Sequence, residues 1–196
     1  MTFRVLHVCT GNICRSPMAE HMMRAGLRDR LGPEADDFVV ASSGTLGFTG
    51  DPMQPFAHST LASWGIDGSA FIAQALAVEQ VDGADLVLSA TRVHRGKVAT
   101  LSPKVTARSF TLREFARLVS IVDPSELPAG TAEERARALV RLAAGNRGLI
   151  PAQAPEDDDL EDPYTGPESG YVACGQLVHD ALQRPLDLIA GLDPKG

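Results

Sequence analysis

The feature that most constrains the fold is the alternation of short, apolar, β-rich runs with helical patterns. The predicted strands are residues 3–8, 38–42, 85–89 and 105–110, and the helical patterns that follow them are at about 17–32, 52–64, 94–101 and 112–119. The run D-L-V-L-S at 85–89 has an entirely apolar centre, which is typical of a strand covered on both faces. Alternating strands and helices predict βαβ crossovers and therefore an α/β protein with a doubly wound sheet.

After residue 120 this pattern loosens. Residues 131–146 predict a charged helix with a capping box of Thr131 and Glu134. A last helix is predicted at 169–190, and Pro185 is expected to kink or divide it because proline has no N–H to donate. Between these helices, 148–162 is predicted to be a loop with a solvated acidic run. A length of 196 residues with 44% hydrophobic side chains fits a single domain, which we expect to span 1–196.

Charge and hydropathy exclude several classes of protein. The net charge is −7, but six acidic side chains lie within 156–162, so the rest of the chain is nearly neutral and no basic surface for nucleic acid is expected. Apolar stretches fall short of the ~20 residues of a membrane span, and the N-terminus lacks a signal-peptide layout, so a soluble cytoplasmic protein is expected. Cys9, Cys14 and Cys174 are too few and too scattered for a disulfide framework or zinc site, so we expect reduced thiols and no metal site.

One loop carries the pattern of a phosphate site. Residues 9–16 read C-T-G-N-I-C-R-S and lie between the first strand and the first helix. Such a loop gathers backbone N–H groups around one point and adds the positive end of the helix dipole, an arrangement that favours a dianionic phosphate. Gly11 and Asn12 tolerate the positive φ that this wrapping requires. The predicted phosphate-binding residues are Thr10, Gly11, Asn12, Ile13, Cys14 and Arg15.

The same loop offers the groups for nucleophilic catalysis. A thiol at a helix N-terminus beside an arginine is stabilised as a thiolate, so Cys9 is the candidate nucleophile. Arg15 presents a planar fork of donors that suits the oxygens of a transferring phosphoryl group. Ser16 is expected to donate to the Cys9 sulfur or to cap the helix, two compatible roles.

A leaving oxygen also needs an acid, and the acidic run supplies candidates. Asp162 stands out because Pro163 fixes the backbone after it and Tyr164 offers a flat wall for an aromatic leaving group. Like-charge repulsion from Glu161 and the acids at 157–159 is expected to favour the protonated form of Asp162.

The motifs together resemble a known family. V-L-H-V-C-T-G-N-I-C-R-S-P-M-A-E at 5–20 is similar to the signature of the low-molecular-weight protein tyrosine phosphatases, and E-D-P-Y at 161–164 resembles their general-acid loop. A-S-S-G-T, W-G-I-D and A-D-L-V-L follow in the family's order, so the resemblance covers roughly 3–120 and 160–190. It implies a flavodoxin-like three-layer sandwich with a four-stranded parallel sheet. It also implies hydrolysis of protein phosphotyrosine through a phosphocysteine, with inorganic phosphate as product and no cofactor or metal.

The resemblance also implies a role for individual residues. Cys9 would be the nucleophile, Arg15 would bind phosphate and stabilise the transition state, and Asp162 would act as acid and then as base. Cys14 would form a protective disulfide with the nucleophile, or else be only a small loop residue. The remaining roles would be support of the loop by Asn12, Ser16 and Ser42, and a substrate cleft lined by Leu46, Phe48 and Tyr164.

Some positions depart from the family pattern. Phe71, the A-Q-A at 73–75, Thr91 and Thr165 replace residues common in relatives, which puts supporting hydrogen bonds and substrate preference in question. Residues 121–158 exceed the family's connection at this point and are expected to be a lid, an oligomer contact or a neutral insertion.

Other functions stay open on the same loop. A protein-arginine phosphatase is disfavoured because those relatives usually carry threonine where this chain has Ile13. An arsenate reductase needs resolving cysteines after the third strand, and none lies between Cys14 and Cys174. A small-molecule phosphatase and a non-catalytic phosphate-binding module are the remaining alternatives.

Overall fold

A computed structural model describes residues 2–151 and 154–192. Its strands are β1 (Phe3–Cys9), β2 (Phe38–Gly44), β3 (Leu86–Ser89) and β4 (Ser109–Thr111). They form one sheet in the order β2-β1-β3-β4, and every neighbouring pair is parallel. The predicted four-stranded parallel sheet is confirmed.

Helices cover both faces of this sheet. They are α1 (Arg15–Leu31), α2 (Pro55–Ser63), α3 (Val78–Gly83), α4 (Arg92–Leu101), α5 (Leu112–Val119), α6 (Ala132–Gly145) and α7 (Glu168–Ala190). Because side chains alternate along a strand, Val5 of β1 faces the larger core with α1, α5, α6 and α7, whereas Leu6 and Val8 face the smaller core with α3 and α4. The result is the three-layer α/β sandwich that the resemblance implies.

Three local features of the helices and strands differ from the sequence prediction. The strand predicted at 105–110 is wrong for 105–108, because Pro103–Arg108 is a 3₁₀ turn and only Ser109–Thr111 joins the sheet. The turn begins at a proline and buries Val105 in the smaller core, so an apolar residue there does not mark a strand. Helix α2 is shorter than predicted. Pro185 does not divide α7, because both flanking turns are held by buried leucines, Leu182 and Leu186.

The stretch at 121–158 contributes a packed helix. Thr131 caps α6 by accepting from the Glu134 N–H at 3.2 Å, which confirms the predicted capping box. Leu139 on the inner face of α6 is fully buried in the larger core. Arg137 on the same helix pairs with Asp85 at 2.6 Å and lies over the Phe3 ring. Asp85 and Phe3 stand at the amino ends of strands, so α6 lies at the opposite end of the sheet from the predicted loop and does not cover it.

Some of the predicted features lie outside the described residues. Residues 152 and 153 of the predicted insertion, and residues 1 and 193–196 of the predicted domain, are of this kind. Across 2–151 and 154–192, none of the helices is both long and apolar enough to cross a membrane.

Candidate active site

The loop after β1 is shaped by where its carbonyl groups point. The carbonyls of Cys9, Thr10 and Ile13 accept hydrogen bonds of 2.8–2.9 Å from the N–H groups of Thr45, Leu46 and Gln54. These donors lie outside the loop, so the carbonyls turn outward and the loop's own N–H groups turn inward. Asn12 takes a φ of 57°, the left-handed conformation that this wrapping requires.

Cys9 ends β1 and is buried at the centre of the loop. Its Sγ lies 2.9 Å from the Ser16 Oγ and accepts from the Asn12 N–H at 3.3 Å. Ser16 therefore directs its hydroxyl to the sulfur, and the prediction that it caps α1 is wrong: the N-cap position is Cys14, without a side-chain cap.

Asn12 connects the loop to its surroundings through a buried network. Its Nδ2 donates to Ser16 Oγ at 2.9 Å and to Ser42 Oγ at 2.7 Å, and its Oδ1 accepts from the Gln74 N–H at 2.8 Å. Ser42 in turn donates to Glu20 at 2.5 Å, and burial raises the pKa of Glu20. Because Asn12 donates to Ser16, the Ser16 hydroxyl hydrogen is free to point at Cys9. Sequence reasoning found Asn12, Ser16 and Ser42 and missed Glu20 and the backbone of Gln74.

Arg15 connects the loop at 9–16 to the acidic run at 156–162. It is only 5% exposed, and its guanidinium donates to the Asp162 carboxylate at 2.5 Å, to the Leu160 carbonyl at 3.2 Å and to Thr10 Oγ1 at 3.3 Å. Among the described residues its Nε has no hydrogen-bond partner although it is buried. The structure thus brings Asp162 to Arg15, and the same guanidinium binds Thr10, which directly follows Cys9 in the loop.

The acidic run is solvated at Glu156, Asp157, Glu161 and Asp162, as predicted, but it is anchored at its centre. Asp158 is buried and binds the Arg117 guanidinium at 2.8–3.1 Å, while Asp159 accepts from the Arg92 backbone N–H at 2.7 Å. The Leu160 N–H donates to the Ala90 carbonyl just after β3. Arginines on α4 and α5 therefore neutralise Asp158 and Asp159, and this weakens their predicted repulsion on Asp162. The Asp162 side chain is 45% exposed.

Apolar side chains stand at the rim of the loop. The rings of Phe48 and Tyr164 lie 5.9 Å apart, centroid to centroid, and Leu46 is exposed beside them in sequence. Phe48 packs directly on Gly11, since a Cβ there would meet the ring at 2.6 Å. The predicted cleft residues Phe48 and Tyr164 thus form one aromatic surface above the loop, close to Asp162.

Sequence reasoning missed His94. Its Nε2 lies 2.8 Å from Thr10 Oγ1 and its Nδ1 lies 2.7 Å from Thr91 Oγ1. Burial, followed by the charge of Arg15, lowers the His94 pKa to about 4, so the ring is neutral at neutral pH. Because Thr10 accepts from Arg15, its hydroxyl can donate to His94, which orders one side of the loop. The available signal was position: Thr91 and His94 follow a parallel strand at its carboxyl end, where sites of α/β proteins gather.

The other cysteines and His7 have separate surroundings. Cys14 is buried beside Tyr171, and burial raises the Cys14 pKa to about 12. Cys174 is buried on α7 in the core, as predicted, and its pKa is likewise raised to about 12 by burial. His7 is buried in β1 with its Nε2 3.4 Å from the Met23 sulfur, which agrees with its predicted core role. Within the described ranges, no cluster of three His, Cys, Asp or Glu side chains could hold a metal ion.

Sequence comparison with known proteins identifies phosphatases as the relatives of this chain. Residues 4–139 match the sequence model of the low molecular weight phosphotyrosine protein phosphatases. A low molecular weight protein-tyrosine-phosphatase of Streptomyces coelicolor is 34% identical over 185 residues, which cover 92% of this chain and 90% of that protein. The protein-arginine-phosphatase of Geobacillus stearothermophilus is 33% identical over 115 residues, 59% of this chain and 72% of that protein.

Solved structures agree with the fold. A low molecular weight protein tyrosine phosphatase from T. tengcongensis superposes with a TM-score of 0.66 at 28% identity, over 93% of this chain and 97% of that one. The YwlE arginine phosphatase from G. stearothermophilus gives a TM-score of 0.66 at 26% identity, over 94% of this chain and 91% of that one. With a family match over 4–139 and a relative aligned along nearly the whole chain, this chain belongs to the low molecular weight phosphotyrosine protein phosphatase family.

Proposed function

We propose that this protein hydrolyses phosphotyrosine in proteins through a phosphocysteine intermediate. The observation that carries the proposal is the grouping of three side chains: a buried Cys9 sulfur that faces two donors, an adjacent buried Arg15, and Asp162 bonded to that arginine. Nucleophile, phosphate ligand and proton donor thus meet at one loop whose inward N–H groups suit a phosphoryl dianion.

The reaction would proceed in two displacements. The Cys9 thiolate attacks phosphorus, the phosphorus–ester oxygen bond breaks, and Asp162 gives its proton to the leaving phenolate oxygen. Asp162 then takes a proton from water, whose oxygen attacks the phosphocysteine and releases inorganic phosphate and the thiolate. Arg15 and the N–H groups from Thr10 to Arg15 stabilise the charge on the equatorial oxygens in both steps.

The ion pair of Arg15 with Asp162 has a role in this scheme. An incoming phosphate dianion competes with Asp162 for the Arg15 guanidinium, because both are anions that bind the same donors. Once displaced, the Asp162 carboxyl group is released from its cationic partner and can reach the leaving oxygen as the general acid. Ser16 and Asn12 hold the sulfur and the loop, and Ser42 fixes Asn12.

The aromatic rim supports tyrosine as the leaving group. Phe48 and Tyr164 form one exposed aromatic surface beside Asp162, against which the phenyl ring of a phosphotyrosine can pack. An aryl phosphate assay without added metal tests the proposal. Cys9→Ser should abolish turnover, whereas the matched Cys174→Ser, which alters a buried core thiol on α7, should leave kcat unchanged. Wild-type turnover by Cys9→Ser would refute the proposed nucleophile.

The acid is tested by a pair of neighbouring variants. Asp162→Asn should lower kcat by about 10²-fold or more with little change in phosphate binding, in line with general acid catalysis. Glu161→Gln removes the same charge from an exposed neighbour and should retain kcat. An unchanged kcat in Asp162→Asn, or a loss in Glu161→Gln, would move the acid role away from Asp162.

Substrate class is tested with peptides. An arginine phosphatase of G. stearothermophilus is similar to this chain in both the sequence and the structure comparison. Ile13 is buried in the loop at the position where arginine phosphatases usually carry threonine. We therefore expect phosphotyrosine peptides to be hydrolysed with a higher kcat/KM than phosphoarginine peptides. Preferential hydrolysis of phosphoarginine peptides would reject the proposed substrate.

Cys14 is proposed as a redox partner of Cys9. Peroxide would oxidise the Cys9 thiolate to a sulfenic acid with release of water, and the Cys14 sulfur would displace the second water to form a disulfide. Wild-type enzyme inactivated by peroxide should then recover fully with dithiothreitol, while Cys14→Ser should lose this recovery as Cys9 oxidises further. Equal recovery of both proteins would reject the role.

Three free cysteines, one of them the nucleophile, support a reducing cytoplasm as the location.

A further inference from the structure

A second concave site lies on the far side of the acidic segment. It is a cavity of about 470 Å³ beside the edge strand β4, between α4, α5 and the residues after α6. None of the residues 9–16 lines it. Its charged lining consists of Arg92, Arg95, Arg117 and Arg147 with Glu114 and Asp158. Arg92 also pairs with Asp159, so the four guanidinium groups are set against three carboxylates and one positive charge is in excess.

The partners of these arginines leave part of the positive charge uncompensated. Arg117 is matched by Asp158, and Arg95 takes one oxygen of Glu114 at 2.5 Å. Arg147 stands 3.4 Å from the other Glu114 oxygen, and its remaining donors bind only backbone carbonyls, Thr106 at 2.9 Å and Ser109 at 2.5 Å. Burial lowers the pKa of Arg147, in keeping with a cation that lacks a full counter-charge. Three of the arginines thus share two carboxylates.

Two buried donors at the cavity make no hydrogen bond within the described residues. Ser109 lines the cavity and is 1% exposed, and its Oγ has no hydrogen-bond partner in the part of the chain that the structure describes. The Nε of Arg147 is buried and equally without a hydrogen bond there. Buried donors are almost always satisfied in folded proteins, by protein, water or ligand. Among the residues described, the Ser109 hydroxyl has no partner and the Arg147 Nε has only the Glu114 oxygen at 3.4 Å, so this cavity wall has room for a further acceptor.

We propose that this cavity binds a small phosphate monoester as a second ligand, distinct from the substrate of the catalytic loop. A phosphoryl anion is opposite in sign to the excess charge, and its three terminal oxygens can accept from Arg147, from Arg95 and from the Ser109 hydroxyl together. A planar carboxylate offers two oxygens and leaves one of these groups unpaired. The volume is within the ~300–1,000 Å³ of small-molecule sites, and Ala99, Leu118 and Ile150 give the remainder of the ligand an apolar wall.

The test uses Cys9→Ser protein, so that no probe is turned over. Glycerol 3-phosphate and inorganic phosphate are titrated at constant ionic strength while backbone amide resonances are followed by NMR. Resonances of residues 10–15 report the catalytic loop, and those of 106–111 and 145–149 report the cavity. We expect both groups to shift, with separate binding curves. Malonate, a dicarboxylate dianion of similar size, should bind the cavity at least about tenfold more weakly.

Three added substitutions assign the second binding curve. Arg147→Gln should weaken cavity binding about tenfold or more, and Ser109→Ala should weaken it several-fold without loss of stability, because it removes a hydroxyl that has no partner in the fold. Arg28→Gln removes the same charge from an exposed arginine on α1 and should change neither curve. No shift at the cavity, an equal response to malonate, or cavity binding that survives Ser109→Ala and Arg147→Gln would each overturn the proposal.

Discussion

Replacement of Asn12 tests whether side-chain hydrogen bonds or backbone conformation hold the loop. The side chain is fully buried and makes three bonds of 2.7–2.9 Å, to Ser16, Ser42 and the Gln74 N–H. Asn12→Ala removes all three and keeps a Cβ in the left-handed conformation at φ 57°. Asn12→Gly removes the same bonds and relieves that conformation.

The expected cost follows from this count. Three net hydrogen bonds of about 1 kcal/mol each, with one N–H left unpaired, predict that Asn12→Ala lowers the free energy of unfolding by about 3–5 kcal/mol. In Asn12→Gly the relief of left-handed strain, about 1 kcal/mol, is largely cancelled by the extra entropy of glycine in the unfolded chain. The two variants are therefore expected to lie within about 1 kcal/mol of each other. Because the Cys9 sulfur loses its positioned donors, kcat should fall about 10²-fold in both.

Urea unfolding and aryl phosphate turnover measure these effects. Asn146→Ala is the matched control, because it loses one hydrogen bond to a backbone carbonyl outside the site. It should lower the free energy of unfolding by about 1 kcal/mol and leave kcat unchanged. A double-mutant cycle of Asn12→Ala with Ser42→Ala should give a coupling of about 1 kcal/mol, the share of their direct bond. A stable Asn12→Gly with near-wild-type kcat, or a coupling near zero, would refute the reasoning and assign the role to the backbone alone.

Three further predictions concern packing and pH. Gly44→Ala should lower the free energy of unfolding in urea by about 2–3 kcal/mol and reduce kcat, because its Cβ would lie 2.7 Å from a carbonyl oxygen of the catalytic loop. Its control, Gly96→Ala, adds a methyl group on the open surface of a helix and should raise the free energy of unfolding by about 0.5–1 kcal/mol with kcat unchanged. Burial lowers the pKa of His7 to about 3 and of His94 to about 4 from 6.5. Below pH 6.5 the unfolded chain therefore binds more protons than the folded chain, so the free energy of unfolding should decrease as the pH is lowered from 6.5 to about 4. The decrease is at most about 1.4 kcal/mol per pH unit for each histidine. Equal unfolding free energies at pH 5 and pH 7 in the wild type would contradict this. Leu139→Ala should cost about 3 kcal/mol while kcat per folded molecule stays unchanged, since α6 packs at the far end of the sheet, and a stable variant would mean that α6 is dispensable.

Elements with strong local signals were predictable. The apolar centre of β3 and the capping box of α6 both depend on residues close in sequence, and both were found. The errors arose where distant contacts decide. Val105 is buried in a 3₁₀ turn rather than a strand because the smaller core covers it, and α7 continues through Pro185 because tertiary packing outweighs one lost hydrogen bond.

The acidic run shows the same limit at the site. Six acids in a row of seven residues predict a solvated loop, because charge runs carry no information about distant partners. In the fold, Asp158 meets Arg117 of α5 and Asp159 meets Arg92 of α4, so the run becomes an anchored segment that delivers Asp162 to Arg15. Folding alone decides which acids pair with the arginines of α4 and α5 and which acid pairs with Arg15.

The sequence by itself determined the α/β alternation and the local chemistry of the loop, because a strand, a tight turn and a helix N-terminus place Cys9, its N–H groups and Arg15 together within seven consecutive residues. Tertiary structure alone decided what depends on contacts across the chain: the ion pair of Asp162 with Arg15, the hydrogen bond of His94 to Thr10, and the arginine-lined cavity behind the acidic segment. Periodicity and spacing record neighbours within a helical turn or a strand, whereas these groups meet only when the sheet brings the carboxyl ends of its parallel strands to one edge.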